Sequence, residues 1–455
     1  MSTENAVVIS SSCHRYLKVG QNRGVSPRLL SPADAAALLR PTDTLGLGLG
    51  PANPHTFLNA LSVRDDWEDL QIGGALVLGL FGLFTNPHVH YRAGFFGPAE
   101  RYLRSVGADV QLVPAGFRQF EPVLRQFAPR VMAVQCARDV DGNFNTSLHV
   151  GATFEELLRA GRDPERLLIV EVNPHLPVTT ALEGYTTTIP AELVDVVIEG
   201  DQPVFELPEE TATEVDEKIA DIAAGFIHPH ATLQTGIGAI PTMVARHLAQ
   251  REGGEYGIHS EMFTTGLWML HQAGKVTNSH KSIFPGVSVT TFALGSSAMY
   301  EWMNNNPAVA FAPVDIVNDP TLIGRNRHFV SINGAISVDL YGQIVADSVA
   351  GRQISGVGGH EDFVAGAELD TQNVSLICLP ATIEVNGVRQ SRITAQLPLG
   401  SIVSTPRHHT AVIVTEFGAA DLRGRTVSER AHLLAEIAHP QFRDELHLAA
   451  ENLAH

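Results

Sequence analysis

The feature that most constrains this fold is a unit that occurs twice: a short apolar strand pattern, a glycine-rich turn, and a helix entered through proline. In the first half Leu45, Leu47 and Leu49 alternate with Gly46, Gly48 and Gly50, and Pro51-Ala52-Asn53-Pro54 then leads into the apolar-periodic run Phe57, Leu58, Leu61. In the second half Ala231-Thr232-Leu233-Gln234-Thr235 runs into Gly236-Ile237-Gly238, and a helical pattern over 242–248 follows Pro241. A pattern that switches across glycines from period two to period 3.6 reads as strand, loop and helix. The loop between is a place where backbone can come close to a ligand. Only the pattern recurs in the two halves, not the residues, so as a repeat the signal is weak.

Further short apolar runs at 110–114, 131–135 and 167–172 are separated by helical patterns. That alternation predicts the α/β class with a mostly parallel sheet. Ser31 followed by Pro32 predicts a capped helix start, and Thr153 with Glu156 predicts a capping box opening a helix over 154–159. From Glu199 to Glu217 the composition turns to acid, proline and threonine. This predicts an N-terminal domain over 1–198, an acidic linker and entry helix over 199–225, and a C-terminal domain over 226–455. The 455-residue length favours two domains on the same grounds.

Composition narrows the partners. A formal net charge of −18 argues against nucleic acid or an anionic membrane surface, because a polyphosphate needs a basic face. One anionic ligand can still be held by helix N-termini and a local Lys or Arg. Cys13, Cys136 and Cys378 stand in no metal-binding or disulfide-framework spacing, and the N-terminus shows no signal-peptide pattern, so a reducing cytoplasm is expected. The most apolar run, Ile72 to Phe84, is interrupted by glycine and too short to span a bilayer, where about 20 residues are needed.

Several chemistries are disfavoured. Gly236-x-Gly238 has Pro241 where a dinucleotide fingerprint needs its third glycine. No G-x-S-x-G elbow is present for a serine hydrolase. Among 20 histidines the close pairs are His88 with His90, His228 with His230, and His408 with His409; none has a third ligand at a metal-site spacing, and no metal is expected.

The candidate chemistry centres on Gly257-Ile258-His259-Ser260-Glu261-Met262-Phe263, where one acid stands between a histidine and bulky apolar residues. Locally such a glutamate reads as a structural acid. Later in the chain come Thr277-Asn278-Ser279-His280-Lys281, Asn318-Asp319-Pro320, Ser331-Ile332-Asn333 and Ser355-Gly356-Val357-Gly358-Gly359, the last dense enough in glycine to suggest backbone N–H groups beside a ligand. Together with Leu233-Gln234, Asp362-Phe363, Val414-Thr415-Glu416-x-Gly418 and Ala438-His439-Pro440, this ordered series resembles the acetyl-CoA hydrolase/transferase family, which includes acetate, butyrate and 4-hydroxybutyrate CoA-transferases. The match is dense from about residue 231 to 446 and looser before it, where Phe95-Phe96-Gly97-x-x-x-Arg101 carries it.

The resemblance implies two tandem open α/β/α CoA-transferase-like domains with the active site between them. It also implies Glu261 as nucleophile, with Asn333 and the backbone of Gly358 and Gly359 as oxyanion donors. Gln234, Gly236, Gly238, Phe263, Thr265, Lys281, Gly356 and Glu416 are the implied substrate or coenzyme A contacts, with Arg352 and Arg407 as further cations for its phosphates. Coenzyme A is the expected co-substrate and no cofactor is permanently bound; the partners are an acyl-CoA and a small mono- or dicarboxylate. A homo-oligomer is expected. Relatives carry an Asp-Gly pair after the Glu-Met, whereas this chain has Phe263-Thr264-Thr265-Gly266, which puts the choice of acyl group at those residues. Hydrolysis through the same Glu261 is the nearest rival. A sugar-phosphate isomerase or ligand-binding protein on the same sheet type is a more distant one.

Overall fold

The computed structural model describes residues 26–208 and 210–453, so Cys13 and the N-terminal segment lie outside the described residues. Two compact units emerge. The first runs to Glu206 and takes in Val289–Asp315; the second comprises Leu207–Ser288 and the chain from Ile316 onward. The segment Val289–Asp315, which lies inside the second domain by the sequence boundaries, therefore clusters with the first unit.

The first unit is built on a sheet whose strands lie side by side in the order Arg28–Leu29, Val196–Glu199, Leu167–Val172, Val131–Arg138, Thr42–Leu47, Asp69–Gly74, Val89–Ala93, Asp109–Leu112, all parallel. The chain winds outward in both directions from Thr42–Leu47, so the topology reverses between that strand and Val131–Arg138. Leu45, Leu47, Ile72, Tyr91 and Val131 are buried from the sheet, against Phe57 and Leu61 of helix His55–Ser62. The apolar run from Ile72 splits as expected into the end of a buried strand and a loop carrying the short 3-10 turn Gly82–Thr85.

The second unit has a smaller sheet in the order Gly257–Ile258, Thr232–Thr235, Phe329–Gly334, Val374–Cys378, Val412–Thr415, Gly418–Asp421. Its first five strands are parallel and the last is antiparallel. In chain order this is 2-1-3-4-5-6, a doubly wound arrangement with its topological switch point between Thr232–Thr235 and Phe329–Gly334. Ligands on such sheets bind in the crevice at the carboxyl ends of the strands where the order reverses. Glycine turn and helix follow the first strand as the sequence predicts, but the helix, Ala239–Gln250, starts directly after Gly238, so Pro241 lies in its first turn, where a missing N–H costs nothing, and does not mark its start.

Ser31 caps its helix as expected, accepting from the Asp34 N–H at 3.1 Å. Thr153 does not form the predicted capping box. Its backbone is already helical (φ −102°, ψ −21°), a conformation that carries the hydroxyl away from the N–H groups it would cap. Glu156, the would-be partner, is buried instead against Arg166 at 2.7 Å and Arg159 at 3.2 Å. Cys136 and Cys378 are buried free thiols. No helix among the described residues is long and apolar enough to cross a membrane.

Candidate active site

Glu261 lies just past the edge strand Gly257–Ile258, and the residues before it explain where its carboxylate goes. Gly257 must be glycine: a Cβ there would stand 2.4 Å from Lys281 Cγ, whose stem runs across the strand. The Lys281 ammonium, 4 % exposed, donates to the carbonyls of Ile258 (2.8 Å) and Val287 (2.7 Å), and burial holds its pKa well below the ordinary lysine value. Lys281 thus acts as a strut under the strand that precedes Glu261. It is not the exposed cation that phosphate binding would need.

His259 is fully buried, with Nε2 2.7 Å from the Val317 carbonyl and Nδ1 3.4 Å from the Asn326 amide nitrogen. Burial, reinforced by Lys281, pushes its pKa down to about 3, so the ring is neutral and Nε2–H is the donor. The contact ties the strand to Val317, and the next residue, Asn318, donates through Nδ2 to Glu261 Oε2 at 2.6 Å. The Ser260 hydroxyl turns back to the Met262 carbonyl at 2.8 Å, which leaves Glu261 the side chain projected toward Asn318 and Gly359.

Gly359 is the N-cap of helix His360–Ala367, and its N–H donates to the Glu261 carboxylate. A side chain is excluded here by contact: a Cβ would lie 1.8 Å from Glu261 Oε2 and 2.3 Å from Asn318 Nδ2. The preceding Gly358 has φ +57°, the left-handed conformation that lets the chain turn into this helix. Asp362 in the helix's first turn shares the Asn318 amide at 3.3 Å and so stands close to Glu261. Burial raises the Glu261 pKa to about 7; the Asn318 and Gly359 donors oppose that rise, and the Asp362 charge adds to it.

At the switch point a second polar group assembles. Gln234 Oε1 accepts from Ser331 Oγ at 2.8 Å and from Asn333 Nδ2 at 3.3 Å, while Asn333 Nδ2 also reaches Ser331 Oγ at 2.7 Å. All three are buried at the ends of neighbouring strands. Both Asn333 amide hydrogens have partners, so as an oxyanion donor Asn333 would have to release one. Beside this group opens a cavity of about 300 Å³ lined by Ile237 to Pro241, Ile332 to Ala335, Cys378, Pro380 and the linker residue Glu210. Glu210 Oε2 accepts the Ala239 N–H at 3.0 Å, placing a carboxylate at the N-terminus of helix Ala239–Gln250 next to the cavity.

The structure therefore brings together Glu261 with Gly359, and Gln234 with Asn333 and the Gly236–Gly238 turn. Other expected contacts fall elsewhere. Phe263 is fully buried with its ring 5.9 Å from that of His271, and Thr264 is buried and caps helix Thr265–Gln272, so of those three residues Thr265 alone is partly exposed. Glu416 accepts the Ala381 N–H at 2.8 Å, a loop-holding bond. Arg352 and Arg407 are exposed. Asn318 and Asp362, which the motif series contains without assigning a role, are the residues that sequence reasoning missed; no spacing relates them to Glu261.

Comparison with known proteins shows the family and the fold. The family model for the acetyl-CoA hydrolase/transferase C-terminal domain matches residues 295–450. A succinyl-CoA:cyclohexane-1-carboxylate CoA transferase of Geobacter metallireducens is 36 % identical, over 94 % of this chain and 95 % of its own. The chain belongs to the acetyl-CoA hydrolase/transferase family. Within that family it is also similar to a probable butyrate:acetyl-CoA coenzyme A-transferase of Syntrophomonas wolfei, at 33 % identity over 94 % of this chain and 95 % of the other. Among solved structures, RipA from Yersinia pestis superposes with a TM-score of 0.83 at 32 % identity, covering 93 % of this chain and 97 % of that one. The 4-hydroxybutyrate CoA-transferase of Porphyromonas gingivalis superposes with a TM-score of 0.75 at 28 % identity, with the same coverages.

Proposed function

We propose that this protein transfers coenzyme A between an acyl-CoA and a small mono- or dicarboxylate, with Glu261 as the covalent nucleophile. The observation that carries the reading is the Glu261 carboxylate, shielded beside Asp362, oriented by Asn318 and the Gly359 N–H, and titrating near neutrality. Water solvates an ordinary carboxylate too well for it to attack a thioester. A desolvated one held in place is far more reactive.

Glu261 attacks the thioester carbonyl, the carbon–sulfur bond breaks, and coenzyme A leaves as thiolate from a mixed acyl-glutamyl anhydride. The thiolate then attacks the glutamyl carbonyl, which expels the first carboxylate and leaves a glutamyl-CoA thioester. An acceptor carboxylate attacks that thioester and displaces the thiolate; the thiolate attacks the acceptor's carbonyl, which yields the new acyl-CoA and frees Glu261. No net hydrolysis occurs, so no nucleotide is consumed. The Gly359 N–H is already aimed at the Glu261 carboxyl group, where oxyanions form during attack on the glutamyl carbonyl; Gly358 and Asn333 are the further donors in this reading, and Gln234 lines the acyl or carboxylate site. Gly236, Gly238, Gly356 and Thr265 are assigned to substrate. Coenzyme A acts as co-substrate, and the cytoplasm is the proposed compartment with a homo-oligomer as the working assembly.

Transfer is favoured over hydrolysis by the relatives that match nearly the whole chain, which carry CoA-transferase names. The acetyl-CoA hydrolase of Candida albicans matches 48 % of this chain at 26 % identity. Incubation with an acyl-CoA followed by intact-mass measurement tests the reading. A coenzyme A adduct on Glu261 is expected; absence of the adduct together with undiminished activity in Glu261→Ala would overturn it. Acyl-CoA loss that proceeds equally with and without added carboxylate would assign hydrolysis instead.

A further inference from the structure

Three side chains from separate segments of the second unit converge at the opposite, amino-terminal edge of its sheet: His230 just before strand Thr232–Thr235, Glu255 just before Gly257–Ile258, and His280 in the loop after residue 277. Glu255 Oε2 lies 3.3 Å from His230 Nδ1 and 3.6 Å from His280 Nε2, and the ligand atoms of all three are within 4.8 Å of one another. The two imidazole rings sit with centroids 3.9 Å apart. In a tetrahedral zinc site, bonds of about 2.0–2.1 Å place ligand atoms about 3.3 Å from each other. Two edges of this triangle already have nearly that length.

The arrangement is held by the backbone. The His230 N–H donates to the Gly254 carbonyl at 3.0 Å, and Gly257 N–H to Ala231 at 2.9 Å, which locks the first two ligand segments together. The third is fastened by Tyr256 N–H to Lys275 at 2.8 Å and Asn278 N–H to Tyr256 at 3.0 Å, with the Asn278 carboxamide accepting the Ile258 N–H at 2.9 Å. His230 and Glu255 both have positive φ (+71° and +56°), a conformation that is costly for residues other than glycine and that here turns both side chains toward His280. Two imidazoles drawn onto the same carboxylate oxygen form the donor set of a borderline divalent cation, with water completing the shell.

We propose that His230, Glu255 and His280 bind one divalent cation of the zinc class, clamping the amino-terminal edge of the sheet that carries Glu261 at its other edge. The site is independent of the transfer chemistry. Its ligands are exposed, so the cation exchanges with solvent and can be removed by a chelator.

The test uses untagged full-length protein, stripped with a chelator and titrated with Co²⁺, with absorbance in the visible d–d region and thermal unfolding as readouts. One Co²⁺ per chain, a higher unfolding temperature, and displacement of the Co²⁺ spectrum by Zn²⁺ are expected. His280→Ala and Glu255→Gln should each weaken binding by more than the 10- to 100-fold typical of losing a supporting contact, roughly 100-fold or beyond. Both substitutions are at exposed positions, and circular dichroism checks that the variants are folded. No Co²⁺ signal up to about millimolar concentration, where even weak extracellular-type sites fill, would overturn the proposal. A signal unchanged in both variants would overturn it too, since the ion would then belong to other histidines.

Discussion

Glu171 in the first unit and Glu261 in the second are built with the same parts and put to different ends. Each is a shielded acid at the carboxyl end of its sheet, at the N-terminus of a helix, and against a glycine that must lack a side chain. Glu171 is fully buried and accepts the N–H groups of Thr56 (3.1 Å) and Phe57 (3.0 Å) at the start of helix His55–Ser62. A Cβ on Gly200 would lie 2.4 Å from its Oε1, as one on Gly359 would lie 1.8 Å from Glu261 Oε2. Burial raises both pKa values, but at Glu171 the two backbone donors are the leading opposition. At Glu261 a side-chain amide takes the place of the second backbone donor; burial raises its pKa to about 7, and the Asp362 charge adds to that rise, as the Asp201 charge also does at Glu171. Each Glu171 oxygen is committed to its own backbone donor, so the group is a cap. Glu261 keeps a carboxylate that is costly to ionise, and that cost is the source of the reactivity proposed for it.

The surroundings repeat the contrast. At the first sheet's switch point Asn53 bonds Gly48 O at 2.7 Å, Gln135 bonds Pro51 O at 3.1 Å and Asn173 bonds Gln135 at 2.9 Å, so the loop is closed onto itself. At the second, the corresponding turn opens onto the cavity beside Gln234 and Asn333.

The largest test of this difference exchanges the two acids for amides. Glu261→Gln should reduce transfer on the order of 10⁴-fold or more, the scale of losing a nucleophile, as read by steady-state rates. Glu171→Gln should leave the covalent adduct intact and lower unfolding free energy by about 1–3 kcal/mol in urea titration, because an amide NH₂ then faces a backbone N–H. A Glu171 variant that loses the adduct, or a Glu261 variant that keeps it, would break the contrast.

Next in size are the glycines. Gly359→Ala should cost about 100-fold in kcat through displacement of Glu261, with the fold unchanged by circular dichroism. Gly200→Ala should show its effect in thermal stability instead.

Smallest is the pH response. With the Glu261 pKa near 7, the attacking carboxylate is lost as pH falls, so the single-turnover acylation rate should be half-maximal near pH 7 and drop about tenfold per unit below it. Asp362→Asn removes a charge that raises that pKa, so its midpoint should move to lower pH; a midpoint that rises or stays would show that Asp362 does not act on Glu261. Stability carries the complementary sign. A carboxyl whose folded pKa exceeds its unfolded value penalises the fold above pH 7 and not below about 4.5, so Glu261→Gln should be more stable than the parent at pH 8 and gain little at pH 5, as checked by urea unfolding at both values.

The sequence by itself determined the α/β class and the glycine turns, because strand and helix periods and glycine spacing are local properties of the chain; that Glu261 belongs with Gly359 was implied only by the resemblance of an ordered motif series to a family. Tertiary structure alone decided who meets whom at the strand ends. The 2-1-3-4-5-6 order sets Gln234 beside Asn333, and His259 brings Asn318 onto Glu261 through the Val317 carbonyl. It also sends Phe263 into the core and buries Lys281 beneath the strand, where the family resemblance implied contacts to substrate. His230, Glu255 and His280 show the same limit, since pairing histidines by local spacing cannot see ligands that three separate loops bring together. Hydrophobic patterning selects which face of an element is buried; the direction of a polar side chain at a loop is set by neighbours distant in sequence, which only the closed sheet supplies.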